Sequence, residues 1–105
     1  MVRAFAAILH LLATPVVSET IDIRGSSAVD LANFECRDIT RSSILQRVCY
    51  DRAQRHLIVA VKGAWNQYCD LPAEQFDALM GAPSMGQFFN RNIGGASGAP
   101  YACEN

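Results

Sequence analysis

Residues 42–93 read SSILQRVCYDRAQRHLIVAVKGAWNQYCDLPAEQFDALMGAPSMGQFFNRNI, and this stretch decides the fold. Three of its runs have the apolar and aromatic content of β-strands: Leu45 to Tyr50, His56 to Val61, and Trp65 to Cys69. The connections between them, 51–55 and 62–64, have the length of hairpin turns. The middle run is apolar on both faces, which is typical of a central strand. Together these runs predict a three-stranded antiparallel β-meander.

Two short helices are predicted after the strands. Pro72 suits a first helical position, because its missing N–H would have no partner there. The apolar stripe of this helix consists of Phe76, Leu79 and Met80. Ser84, with Gln87 three residues later, has the register of a capping box. It predicts a second helix with the apolar residues Met85, Phe88, Phe89 and Ile93. The predicted fold class is therefore α+β, with both helices packed on the sheet.

The first 18 residues have the pattern of a signal peptide. Arg3 supplies the positive charge, residues 4–13 form an apolar run, and Val16-Val17-Ser18 has the small residues of a cleavage site. Cleavage after Ser18 and a periplasmic or secreted location are expected. The alternatives are a buried N-terminal helix or a retained anchor, but the run is shorter than the ~20 apolar residues that span a bilayer.

The flanks of the 42–93 domain are less regular. Residues 19–41 lack a sustained period and predict a lead-in segment. Residues 94–105 begin with GGASGAP and predict a flexible tail that only Tyr101 and Cys103 could hold. From residue 19 onward, eight Arg and Lys stand against ten Asp and Glu, a net charge of −2. A protein with this charge has no general attraction for nucleic acid or anionic membranes.

Four cysteines predict two disulfides: Cys36, Cys49, Cys69 and Cys103. Their number is even, export leads to an oxidising compartment, and a small core gains from covalent cross-links. In a simple meander, Cys49 and Cys69 end the two outer strands, ~9.6 Å apart, whereas a bridge allows only ~7 Å. Each flank cysteine should therefore pair with a core one. Two pairings remain open: Cys36–Cys49 with Cys69–Cys103, or Cys36–Cys69 with Cys49–Cys103.

Several short motifs of the chain resemble the KTSC domain. They are Ser42-Ser43, the V-x-Y-D of Val48 to Asp51, the Tyr68-x-x-Leu-Pro stretch, and A-P-S-x-G-x-F-F-N-x-x-I from Ala82 to Ile93. The family usually carries a Y-x-Y where this chain has Asn66-Gln67-Tyr68. The domain also occurs at the C-terminus of some lysyl-tRNA synthetases, and this context suggests RNA binding. The resemblance brings no catalytic residues with it.

The chain shows no motif for catalysis or for a metal. The cysteines are 13, 20 and 34 residues apart, and after residue 18 the only histidine is His56. Neither a zinc-type spacing nor a C-x-x-C is present. We therefore expect no enzyme activity, no cofactor and no metal site. A candidate binding surface consists of Tyr50, Trp65, Tyr68, Asn90 and Arg91, and Trp65 could equally fill the core.

Three functions are compatible with these features. The first is a small exported, disulfide-stabilised interaction module for an unidentified protein or small ligand. The alternative is an RNA-binding domain, which the acidic charge and the export both disfavour. A cluster of Arg47, Arg52 and Arg55 beside exposed aromatic residues would favour that alternative. A cleft joining His56 to a carboxylate would favour the third, an enzyme.

Overall fold

The computed structural model describes residues 19–23 and 28–103, so the predicted signal peptide lies outside the described residues. The elements of this part are β1 (Thr20–Asp22), β2 (Ala28–Asp30), β3 (Glu35–Asp38), β4 (Leu45–Asp51), β5 (His56–Val61), β6 (Ala64–Tyr68), α1 (Ala73–Gly81), α2 (Met85–Asn92) and a 3₁₀ helix, Gly95–Ser97. The α+β class and the two short helices are confirmed. Within the described ranges, neither helix has the length and apolar content needed to cross a membrane.

The predicted three-stranded meander is wrong in its number of strands. The main sheet is antiparallel with four strands in the order β3-β4-β5-β6, and β1 pairs with β2 in a separate two-stranded sheet. β3 joins the edge of the main sheet in a register that places Cys36 opposite Cys49. Three of the four residues of β3 are charged, as is common at a sheet edge, so no apolar alternation marks it as a strand.

The helices cover one face of the main sheet. Alternate residues of a strand point to the same side, so Val48 and Tyr50 of β4 share this face with Leu57 and Val59 of β5. All four are fully buried beneath the helices. The helices and their connections bury further residues against them: Leu71, Phe76, Leu79, Met85, Phe89 and Ile93. The predicted packing of the helices on the sheet is therefore confirmed.

The opposite face of the sheet is covered by the segment predicted as a lead-in. Ile21, Ile23 and Leu31 of this segment form a second core with Cys49 and Ile58 of the sheet. Val29, Phe34, Cys36 and Trp65 pack at its margin. Because the helices cover one face of the sheet and this segment covers the other, β5 is apolar on both faces. The described residues of 19–41 thus bury the second face of the main sheet and also supply its edge strand β3.

Local signals place the ends of the helices. Pro72 is the residue before α1 rather than its first helical residue. Ser84 caps α2 as predicted, because its side chain accepts a hydrogen bond from the Gln87 N–H. In the predicted tail, Ala102 forms a β-bridge with Tyr68. The described part of the tail is therefore attached to the edge strand β6.

Both predicted disulfides are present, and their pairing is one of the two alternatives left open by the sequence. Cys36 bonds to Cys49 with a Cα–Cα distance of 4.0 Å, and Cys69 bonds to Cys103 with a Cα–Cα distance of 4.9 Å. No bridge joins Cys49 to Cys69, as expected. Strand β3 decides the choice, since it places Cys36 directly beside Cys49.

Candidate functional site

A groove lies where the β3–β4 connection meets the start of α2. Its volume is about 280 Å³. Six of its lining residues are polar: Arg41, Ser42, Ser43, Ser84, Gln87 and Asn90. No Asp or Glu is among the described residues that line it. The groove therefore presents polar groups, most of which can both donate and accept hydrogen bonds, together with the positive charge of Arg41.

The walls of the groove are held by side chains that bond to the backbone. The Ser42 hydroxyl accepts hydrogen bonds from the Ile44 and Leu45 N–H groups, each at 3.1 Å. The Arg41 guanidinium donates to the carbonyl oxygens of Met80 and Ala82, both at 2.8 Å. Because carbonyls at the end of a helix have no partner within the helix, Arg41 also terminates α1. The Arg41 bonds join the connection to the C-terminal end of α1, and the Ser42 bonds hold the turn that leads into β4.

Gly86 allows α2 to approach the connection closely. A Cβ atom at this position would lie 3.1 Å from Ile44 Cδ1 and 3.6 Å from Ser42 Oγ. The first distance is tighter than an ordinary van der Waals contact. A glycine therefore shapes the floor of the groove.

The start of α2 supplies backbone donors to the groove. The Gln87 N–H is taken by the Ser84 hydroxyl at 3.4 Å, and the Phe88 N–H by the Ser84 carbonyl at 3.1 Å. The N–H groups of Met85 and Gly86 have no acceptor within the helix, and both residues line the groove. A helix N-terminus also carries a partial positive charge. Carboxylate or carbonyl oxygens are the groups that match this lining.

The prediction of Tyr50 as a surface residue is wrong. Its side chain is fully buried. Its hydroxyl donates to the Leu71 carbonyl at 2.5 Å, and its ring stacks on Phe76 with the ring centroids 4.4 Å apart. Burial raises the pKa of the phenol, which favours the neutral form. Strand alternation did not show which face of β4 the helices would cover.

The other predicted surface residues do not form one patch. Trp65 is half-buried and packs against the core beneath the β1–β2 hairpin. Tyr68 lies on the opposite face, where its ring meets the edge of Phe89 at a centroid distance of 5.6 Å, and burial raises its pKa. Asn90 lines the groove, and Arg91 lines a neighbouring depression of about 250 Å³. Only these last two lie near a common surface.

The basic cluster considered for nucleic acid is largely ion-paired. Arg47 bonds to Glu19, and this hydrogen bond lowers the pKa of the Glu19 carboxyl. Arg52 contacts Glu35 at 2.8 Å and Asp77 at 2.9 Å. The hydrogen bonds that Arg52 donates to the Asp77 and Glu35 carboxylates raise its pKa. Two of the three arginines are thus neutralised locally.

His56 lies beside the second disulfide. In the β5–β6 register Leu57 opposes Tyr68, and His56 and Cys69 are the residues that directly adjoin this last pair. The Nε2 atom of His56 is 3.0 Å from the Gln67 side-chain oxygen, and the ring meets the edge of Phe34. The nitrogen and sulfur atoms of His56, Cys69 and Cys103 all lie within 4.8 Å of one another. Strand pairing thus brings together residues whose sequence spacing indicated no site.

Apart from Asn90, the groove residues were not predicted as a site, although a signal for them existed. Ser42-Ser43 and the A-P-S-x-G motif lie about 40 residues apart in the sequence, and both line the groove. Each motif alone could be explained by capping and turn chemistry. Their meeting in space depends on how α2 packs against the β3–β4 connection.

Comparison with known proteins gives consistent results. A family comparison matches residues 41–96 to the KTSC domain. The crystal structure of a KTSC domain protein from Yersinia pestis is similar, with a TM-score of 0.58 and 25% sequence identity over 69% of this chain and 96% of that one. Among curated proteins, none gives a significant match.

Proposed function

This chain belongs to the KTSC domain family, and the residues that match the family, 41–96, include all the residues that line the groove. We propose that the protein is a small interaction module that binds its partner in this groove. The observation that carries the proposal is the lining of the groove: uncharged polar groups, one arginine, and no carboxylate among the described residues. The positive charge without a negative one favours a ligand that supplies anionic acceptor atoms. The role proposed is binding rather than catalysis.

The size of the groove limits the ligand. Small-molecule pockets are typically ~300–1,000 Å³, and this groove, at about 280 Å³, is at the lower end. It has room for one or two residues of a peptide. An acidic side chain or a terminal carboxylate could accept from Arg41 and from the N–H groups at the start of α2. We therefore propose a short acidic peptide segment of a partner protein as the ligand.

A phage-displayed library of random peptides tests this function. We expect selection on the immobilised protein to enrich sequences with Asp or Glu. Ser43→Trp, at an exposed position on the groove, should weaken the binding of the selected peptides at least ~10-fold, because the indole occupies the groove.

Gln54→Trp is the matched control, because Gln54 is exposed in the β4–β5 turn, outside the groove residues. It should leave the binding of the peptides unchanged. Selected peptides that bind the Ser43→Trp protein as well as the unmodified one would contradict the proposal. So would selection without acidic enrichment.

Nucleic acid is the weaker candidate. The net charge of −2 from residue 19 onward and the ion pairs of Arg47 and Arg52 both argue against it. We expect single-stranded RNA to bind no tighter than ~10⁻⁴ M at physiological salt, the weak end of non-specific affinities. Fluorescence anisotropy with a labelled RNA measures this. Micromolar affinity with a steep salt dependence would restore the RNA-binding alternative.

We also propose that the protein is exported. Two disulfides suit a non-cytoplasmic setting, and the pattern of residues 1–18 supports cleavage after Ser18. N-terminal sequencing of the protein from the periplasm of a bacterial host should give Glu19 as the first residue. A product in the cytosol that still begins at Met1 or Val2 would rule this out.

A further inference from the structure

We propose that reduction of the Cys69–Cys103 disulfide creates a Zn²⁺ site formed by Cys69, Cys103 and His56. The three side chains come from different parts of the chain: the end of β6, the tail, and the start of β5. Their potential ligand atoms already lie within 4.8 Å of one another. The proposal is independent of the groove.

The distances suit zinc with little movement. Zn–S bonds of ~2.3 Å and Zn–N bonds of ~2.0 Å in a tetrahedral site place neighbouring ligand atoms roughly 3.3–3.8 Å apart. The histidine nitrogen and the two sulfur atoms lie within 4.8 Å of one another, because His56 and Cys69 adjoin the last β5–β6 pair and the Cys69 N–H bonds to the Tyr101 carbonyl. To bind zinc, the sulfur atoms must move apart once unbonded, and the imidazole must reach the same range.

The surroundings of His56 favour the role of a ligand. Its Nε2 atom is 3.0 Å from the Gln67 side-chain oxygen, so a proton on Nε2 leaves the lone pair of Nδ1 for a metal. Metal-binding histidines commonly donate their other N–H to such an oxygen, which orients the ring. The edge contact with Phe34, at a centroid distance of 5.4 Å, restricts the ring further.

Three protein ligands leave the fourth position of the metal open. Two thiolates and one imidazole form a set that zinc accepts, with water or an external ligand completing the tetrahedron. The reduced site would therefore bind the metal and keep one exchangeable position. In the oxidised protein the sulfur atoms are bonded to each other, so the site exists only after reduction.

A dithiol is the reductant that opens the Cys69–Cys103 bond. The dithiol transfers two electrons and two protons to the Cys69–Cys103 bond and becomes a disulfide itself. Binding of Zn²⁺ to the two thiols then releases two protons, because thiolates are the ligands. Exchange with a small-molecule disulfide, which accepts the two electrons and two protons and becomes two thiols, would re-form the Cys69–Cys103 bond and release the metal. The state of this disulfide would thereby control metal binding.

The other disulfide is expected to resist the same treatment. Cys49 is fully buried in an internal strand, whereas its partner Cys36 is half-buried in the edge strand β3, so only one residue of this bridge is partly accessible. Cys69 and Cys103 are half-buried, at the end of an edge strand and in the tail. Access of the attacking thiolate governs exchange, so a limited amount of dithiol should open the second bridge first.

The test uses the full chain after mild reduction with a dithiol that is then removed. Alkylation with mass spectrometry identifies the free thiols, and Zn²⁺ alone is titrated against a competing chromophoric chelator. We expect one Zn²⁺ per reduced chain, none per oxidised chain, and release of about two protons. His56→Gln should weaken the affinity about tenfold or more, since Gln cannot supply the imidazole lone pair.

If reduction weakens the fold, the melting temperature of the reduced protein with and without Zn²⁺ provides a second measurement. Zn²⁺ should raise the melting temperature of the reduced protein, or refold it, and should do so less in His56→Gln. Three results would overturn the proposal: no zinc binding by the reduced chain, equal binding by His56→Gln, or a reduced chain that is unfolded and stays so with Zn²⁺. Opening of Cys36–Cys49 before Cys69–Cys103 would overturn the proposed control by the second disulfide.

Discussion

Replacing Cys36 and Cys49 together with alanine is expected to lower the free energy of unfolding by about 2–4 kcal/mol. This bridge joins the edge strand β3 to the internal strand β4. β3 is short and mostly charged, so the disulfide is the main covalent link that holds it in register. Without the bridge, the unfolded chain also regains the freedom of the loop between the two cysteines. Chemical denaturation followed by circular dichroism measures the loss.

The Cys69→Ala and Cys103→Ala double variant is the comparison for this result. Its cysteines are separated by 34 residues rather than 13, and the chain-entropy argument expects ~1 kcal/mol more from the longer loop. The full burial of Cys49 adds a packing loss to the first variant alone. An unchanged denaturation midpoint after removal of Cys36 and Cys49 would show that this bridge does not stabilise the fold.

Phe76→Ala should destabilise the protein by about 3–5 kcal/mol, the range for truncation of a buried aromatic residue. Only 3% of Phe76 is exposed, and its ring stacks on the fully buried Tyr50. Arg52 lies above the same ring, with its guanidinium carbon 5.3 Å from the centroid. The substitution therefore leaves a cavity between α1 and the sheet and removes both ring contacts. A denaturation curve gives the free-energy change.

Phe88→Ala makes the same chemical change on α2 and is the matched control. Phe88 is only half-buried, at the margin of the core, so its truncation should cost clearly less. Equal losses for the two variants would contradict the placement of Phe76 at the centre of the core. A loss below ~1 kcal/mol for Phe76→Ala would do the same.

Local patterns were sufficient for the elements whose signals are contained in a few neighbouring residues. The strands β4, β5 and β6 followed from β-propensity and hairpin-length turns, and the start of α2 from the Ser84 cap. Each of these signals acts between residues close in the chain. The even number of cysteines and their placement likewise predicted two disulfides and argued against a bridge between Cys49 and Cys69.

Only the tertiary structure decided the features that depend on which segments meet. β3 has no apolar alternation, because three of its four residues are charged, and the sequence pattern therefore did not predict it. Its pairing with β4 nevertheless selects the Cys36–Cys49 bridge. The helices cover the face that contains Tyr50, so a predicted surface residue is buried.

The same holds for the two candidate sites. Packing of α2 on the β3–β4 connection joins two distant motifs in the groove, and the β5–β6 register places His56 beside Cys69. Spacing along the chain does not reveal such neighbours, because strand pairing and helix docking create contacts between residues far apart in sequence. Local pattern determined β4 to β6 and the two helices, while long-range packing determined the pairing of β1 to β3, the disulfide pairing and the candidate sites.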